Sequence, residues 1–156
     1  MHVYYLSRTQ YLPISQDVAW AFFSNPANLL QLSPSWMKMR DETVQPAKSI
    51  YPGMVQILHI SQNGLPSSRW VSEITHIDAP NSFIDEQKQG TFAYWHHRHN
   101  LEPTAHGVMI HDAVYYAMPF GLLGRLIHFL VVRRRLEALF NYRADMLTEF
   151  FGEVSL

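Results

Sequence analysis

The sequence predicts an α+β fold: a curved antiparallel β-sheet wrapped around a long C-terminal helix, with two short helices after strand 1. Three observations carry this expectation. Residues 54–118 break into short runs that alternate apolar and polar side chains, the two-residue period of half-buried strands. Residues 122–150 lack proline and place Leu126, Leu130, Leu136, Phe140, Leu147 and Phe150 at roughly helical intervals. A helix of ~29 residues extends ~44 Å, close to the ~40 Å covered by a strand spanning 91–102. A helix of that length suits lying along a sheet.

The elements follow in order. Residues 2–12 read as a first strand, closed by Pro13. Ser15 is placed to cap a helix over 16–24, because its hydroxyl can accept from the free first-turn amides. Val18, Ala19, Phe22 and Phe23 form that helix's apolar stripe. Asn25-Pro26 ends it and starts a second short helical piece through Leu30. After Pro52-Gly53, strands are expected at 54–61, 69–77 and 83–88, with Asn63-Gly64 as a turn signal. In the second of these, Trp70, Ser72, Ile74 and His76 share one face. Gly90 marks a corner before two longer strands within 91–118.

The 156 residues fit one domain, 1–156, with length for a substantial core. Charged residues make up 16% of the chain, below the usual quarter, and aromatics 13%. That balance points to much apolar surface to bury, some of it around a cavity. A formal net charge of −1 leaves no basic footprint, so nucleic acid is not an expected partner. With no cysteine, disulfides, thiolate catalysis and Cys-ligated zinc are excluded. The N-terminus has no basic-then-apolar signal pattern. The most apolar stretch, Leu122 to Val132, is interrupted by Gly124, Arg125 and His128 and falls short of the ~18 residues of a membrane span. A soluble, cytoplasmic protein without stable membrane insertion is expected.

The richest segment is Thr91 to Met118. Trp95, His97, His99 and Leu101 alternate on one face, as do Ile110, Asp112, Val114 and Tyr116. The linker 102–107 suits an antiparallel hairpin. With its middle at Thr104 and Ala105, His97 falls opposite Asp112, His99 opposite Ile110 and Trp95 opposite Val114. Both sets then occupy the same face, aromatic and aliphatic groups around a histidine and a carboxylate, as in a lined pocket.

Several fragments resemble one family. They are Trp70-x-x-x-Ile74, Phe83-x-Asp85-x-Gln87-x-x-Gly90, Trp95-x-His97-x-His99, Asp112-x-Val114-x-Tyr116-x-x-Pro119-x-Gly121 and Leu136-x-x-x-Phe140-x-Tyr142-Arg143. With the element order, they resemble the START-like, or SRPBCC, superfamily of birch-pollen-allergen-like proteins, lipid-transfer domains and polyketide cyclases. The nearest likeness is to small bacterial proteins of its uncharacterised polyketide-cyclase-like branch. The chain departs from that pattern at Thr91-Phe92, where the branch has a proline and an aromatic. The resemblance implies a helix-grip fold with an internal hydrophobic cavity. It implies no defined reaction, since members range from carriers to cyclases.

The expected cavity wall is Trp70, Phe83, Trp95, Val114, Tyr116 and Leu130, joined by Phe22, Phe23, Trp36 and Met118. His97, His99, Asp112 and Tyr116 would orient a polar substituent of a small hydrophobic ligand, cyclic or lipid-like. As an enzyme, a cyclase or dehydratase, the chain would use His97 as general base and Asp112 as its orienter. A register-fixing polar pair explains the same two residues, because leaving either unpaired costs about 1–3 kcal/mol. His97 and His99 could begin a metal site only with a third donor, His76 or Asp85. Since catalytic zinc takes three placed ligands, neither metal nor cofactor is expected. Arg133, Arg134 and Arg135 fan over ~200° of helix surface and read as a solvated face with partners such as Glu137. Arg143, on the inner stripe, is expected to be partly buried and paired with Asp85 or Glu149. An oligomer, or a partner on the Leu122–Val132 stripe, is compatible with the sequence.

Overall fold

The computed structural model describes residues 1–62, 64 and 66–154. A first strand, β1 (Val3–Leu12), leads into α1 (Gln16–Phe23) and two single-turn helices, Pro26–Leu29 and Ser35–Met37. Then come β2 (Arg40–Asp41), β3 (Val55–Ile60), β4 (Ser68–Asp78), β5 (Ser82–Gln89), β6 (Tyr94–Thr104) and β7 (Gly107–Ala117). The chain ends in α2 (Gly121–Ile127), a π turn (His128–Val132) and α3 (Arg133–Phe151), which run on as one helix. The seven strands form one sheet in the order β1-β7-β6-β5-β4-β3-β2, every pair antiparallel. No helix among the described residues is long and apolar enough to cross a membrane.

Local chemistry explains the boundaries. Ser15 Oγ accepts from the Val18 amide and starts α1. Asn25 Oδ1 likewise accepts from Ala27 N, with Pro26 as the first residue of the next turn. Asn63 of the expected β3–β4 turn lies outside the described residues. In β4 a bulge after Ile74 leaves Thr75 without a partner, so Ile74 pairs with Asp85 and His76 with Ile84. The side chains beyond it exchange faces. His76, expected beside Trp70 and Ile74, is exposed, while Ile77 packs inward.

The β6–β7 hairpin closes on Ala105-His106, with Thr104 paired to Gly107. That tighter turn moves the expected register by two residues: His97 faces Val114, His99 faces Asp112 and Trp95 faces Tyr116. A two-residue shift preserves the faces, so the inner surface keeps the predicted side chains.

The core runs along the sheet–helix seam in patches. Leu12, Leu101, Val108, Ile110 and Leu147 close one end, and Leu6, Val114, Tyr116, Leu136 and Phe140 fill the middle. Leu130 is not among them: it is 57% exposed. Six positions separate it from Leu136, about 600° or 240° net around the axis, so the two do not share a face. Leu136, Phe140 and Leu147 set the inner stripe, and Gly124 and His128 extend it toward the N-terminus. His128 stacks on Tyr4 at 3.5 Å and shares a hydrogen bond with Tyr116 Oη at 3.0 Å. Leu122, Leu126 and Phe129 stay exposed on the outer face.

Gly124 is where the helix crosses the strand exit. A Cβ there would lie 1.8 Å from the Pro119 carbonyl oxygen and 3.1 Å from Met118 Cβ. Gly124→Ala is therefore expected to destabilise by about 1–3 kcal/mol, because the helix start must move off the strand end. Urea unfolding followed by tryptophan fluorescence measures this; a wild-type midpoint would refute the close approach.

Candidate functional site

Between the inner sheet face and α3 lies a cavity of about 450 Å³. One end is held open by α1 and the single-turn helices, which contribute Phe22, Phe23, Leu29, Trp36 and Met37 to its wall. The sheet contributes Leu58, Trp70, Ile74, Phe83 and Trp95, and the helix Leu136, Leu139 and Arg143. Trp70 meets Trp95 edge-on with ring centroids 5.2 Å apart, so both indoles form one aromatic corner.

Four ionisable side chains interrupt this apolar lining on three adjacent strands. Asp85 of β5 is paired with His97 of β6, and His99 of β6 with Asp112 of β7. Direct and diagonal neighbours on one face lie within side-chain reach, so each carboxylate meets both imidazoles. His97 Nε2–H donates to Asp112 Oδ1 at 2.8 Å, and His97 Nδ1 lies 3.4 Å from Asp85 Oδ2. His99 Nε2–H donates to Asp85 Oδ2 at 3.0 Å. His99 Nδ1 comes within 2.9 Å of Asp112 Oδ1 without hydrogen-bond alignment; the contact is an ion pair, and the ring nitrogen has no hydrogen-bond partner. The two imidazoles lie 3.8 Å apart, tilted by 37°, Phe83 stacks on His99 at 4.1 Å and Phe140 meets His97 edge-on. His97 retains 4% of its side-chain exposure, whereas Asp85 and Asp112 retain 19% and 20%, which faces the cavity.

The two histidines titrate in opposite directions. Burial and the neighbouring His99 charge push His97 below its ordinary range, so it stays neutral. Burial also works against charge on His99, but Asp112 and Asp85 outweigh it and raise His99 to about 9. Both carboxyls are held below the usual carboxylate range: burial opposes ionisation, and the two imidazoles overcome it. Arg143 adds a second positive charge nearby, with its guanidinium over the Phe140 ring and Nε donating to the Leu32 carbonyl at 3.3 Å. The site at neutral pH therefore holds two carboxylates, one imidazolium, one guanidinium and a neutral imidazole. Since His97 uses its Nε2 proton on Asp112, its Nδ1 carries a lone pair.

Of the nine residues expected to bind ligand, six line this cavity: Trp70, Phe83, Trp95, His97, His99 and Asp112. Three do not. Val114 is 1% exposed within the packed middle core, Tyr116 turns its hydroxyl to His128, and Leu130 points outward. Asp85, which the sequence offers only as a third metal donor or an Arg143 partner, joins the site; the alternation Phe83-x-Asp85 is its signal. Arg133 pairs with Glu137 at 3.1 Å, as the helical spacing predicts. Arg135 donates to Gln62 and lies over Trp36.

The combination of an open-ended sheet–helix cavity with a polar square in its floor defines a hollow helix-grip protein. No family model and no curated protein sequence matches the chain. Solved structures do. A protein from Chromobacterium violaceum superposes with a TM-score of 0.70 at 8% identity, over 95% of this chain and 97% of that one. A protein from Thermus thermophilus gives 0.68 at 14%, over 94% and 99%. A norcoclaurine synthase point mutant from Thalictrum flavum, in complex with a transition-state analogue, gives 0.66 at 13%, over 96% of each chain. The chain has the helix-grip fold that these structures share; at these identities the likeness is one of fold.

Proposed function

We propose that the protein is a carrier or sensor that binds a small hydrophobic molecule, cyclic or lipid-like, in the sheet–helix cavity. The supporting observation is the cavity itself: about 450 Å³ of largely apolar space with one polar square in its wall, within the ~300–1,000 Å³ of small-molecule sites. Aromatic surface supplies affinity at about 25 cal/mol per Å² buried. Asp85, His97, His99 and Asp112 hold a polar substituent and fix orientation. A norcoclaurine synthase point mutant of the same fold forms a complex with a transition-state analogue, which supports small-molecule binding by this fold.

Organic extracts of freshly purified protein, analysed by mass spectrometry, should contain one apolar compound in near-stoichiometric amount. That compound, added back at a hundred times its Kd, should stabilise the protein by ~2.7 kcal/mol. Trp70→Ala should weaken it about tenfold or more, each tenfold being ~1.4 kcal/mol. Extracts without such a compound, together with no stabilisation by fatty acids or fused aromatics, would remove the proposal.

One observation favours a second reading, a polyketide cyclase or dehydratase. His97 presents an unprotonated Nδ1 while Asp112 fixes its tautomer, the arrangement of a general base. On this reading His97→Ala abolishes product formation while ligand binding and fold survive. Turnover equal to wild type would exclude it.

A further inference from the structure

We propose that Asp85, His97 and His99 form a binding site for a single divalent first-row transition-metal ion, held in the cavity floor with positions open to the cavity. The first argument is distance. Asp85 Oδ2 lies 3.0 Å from His99 Nε2 and 3.4 Å from His97 Nδ1, and all three donor atoms fall within 4.8 Å of one another. Ligands at ~2.0–2.1 Å from one ion stand about 3.0 Å apart at right angles and about 3.4 Å apart in a tetrahedron. Both Asp85 distances match those separations. The two imidazole nitrogens lie within 4.8 Å of each other, and the rings draw together around the ion to complete the set.

The second argument is the outer shell. An imidazole that binds a metal through one nitrogen gives its other N–H to a carboxylate or carbonyl. Here one carboxylate serves both rings: Asp112 Oδ1 lies 2.8 Å from His97 Nε2 and 2.9 Å from His99 Nδ1. Asp112 thereby faces the far nitrogens, leaving His97 Nδ1 and His99 Nε2 directed at Asp85. The buried His99 Nδ1 without a hydrogen-bond partner is the atom this arrangement would satisfy. An ion would replace the proton between His99 and Asp85.

The third argument is access and charge. The three donors come from adjacent strands of one rigid sheet and line the cavity with Asp112. Sheet and aromatics cover one side, so open positions face the cavity, where a ligand's oxygen or nitrogen would complete the shell. Two imidazoles and one carboxylate suit zinc, iron(II), cobalt(II) or manganese(II), in contrast to the all-oxygen shells of calcium and magnesium. Metal binding stands independently of the organic-ligand proposal; only the use of the open positions rests on it.

The test uses the full chain stripped with chelator and titrated with Zn²⁺ and Co²⁺ by calorimetry. Tight one-to-one binding is expected, with a visible Co²⁺ spectrum of nitrogen–oxygen coordination and a metal-dependent rise in Tm. Asp85→Asn should abolish the tight phase, and Asp112→Asn, as an outer-shell change, should weaken it about 10–100-fold. His99→Gln provides a second ligand removal should Asp85→Asn fold poorly by circular dichroism. Wild-type protein with no one-to-one phase overturns the site. So does undiminished binding by a folded Asp85→Asn or His99→Gln variant, which would assign the metal to surface histidines. Organic-ligand binding by metal-free protein is read separately, so either proposal can fail alone.

Discussion

Asp112→Ala is expected to lower stability by about 3–5 kcal/mol, the loss seen when one partner of a buried ion pair is removed. Asp112 accepts from His97 and pairs with the His99 imidazolium. Its removal leaves a positive ring 3.8 Å from a second, tilted imidazole, with Asp85 the remaining counter-charge in the square. Neutralising His99 restores some stability but strands other donors. A cycle of Asp112→Ala, His99→Leu and the double variant should therefore be non-additive, the double losing clearly less than the sum. Urea unfolding of metal-free protein near pH 6.5 reads all three. A single-variant loss below about 1 kcal/mol would show that the square carries no buried charge.

The fold was legible because its signals are local and repeated. Strand alternation, the Ser15 and Asn25 caps and the proline-free C-terminal run each specify one element without knowledge of the others. What escaped were features set by a single-residue offset. The β4 bulge turns His76 outward, and nothing within 69–77 announces an extra residue there. Closing the hairpin on Ala105-His106 instead of Thr104-Ala105 moved every cross-strand partner while leaving the faces intact. The inner surface was therefore legible when its pairing was not. Leu130 and Tyr116 illustrate a different limit. A wide apolar helix segment offers several stripes, and only the sheet decides which one is buried. Tyr116 lies on the right face, but His128 captures its hydroxyl from a turn of helix that the strand pattern does not contain. Asp85 was legible in part: the alternation Phe83-x-Asp85 puts it on the inner face, but its contact with both imidazoles is set by the β5–β6 register, which residues 83–90 alone do not fix.

In chelator-treated protein, stability should peak near pH 6.5 and fall on both sides. On the alkaline limb the controlling group is His99, whose folded value is about 9 against an ordinary 6.5. Being raised, it contributes stability that is fully present below 6.5 and is lost as pH climbs through 9. At about 1.4 kcal/mol per pH unit, that amounts to about 3 kcal/mol. On the acid limb His97 acts first. Its folded value is depressed, chiefly by burial, so below pH 6.5 the unfolded chain binds a proton that the native chain refuses, and stability declines. Asp85 and Asp112 follow: their contribution is present above their ordinary 3.8 and disappears as acid protonates them. Urea midpoints at half-unit pH steps trace the curve, and His99→Gln should flatten its alkaline limb selectively. Equal wild-type stability at pH 6.5 and 9 would mean that His99 is neutral in the native protein, and the square would then be a hydrogen-bonded network without an imidazolium.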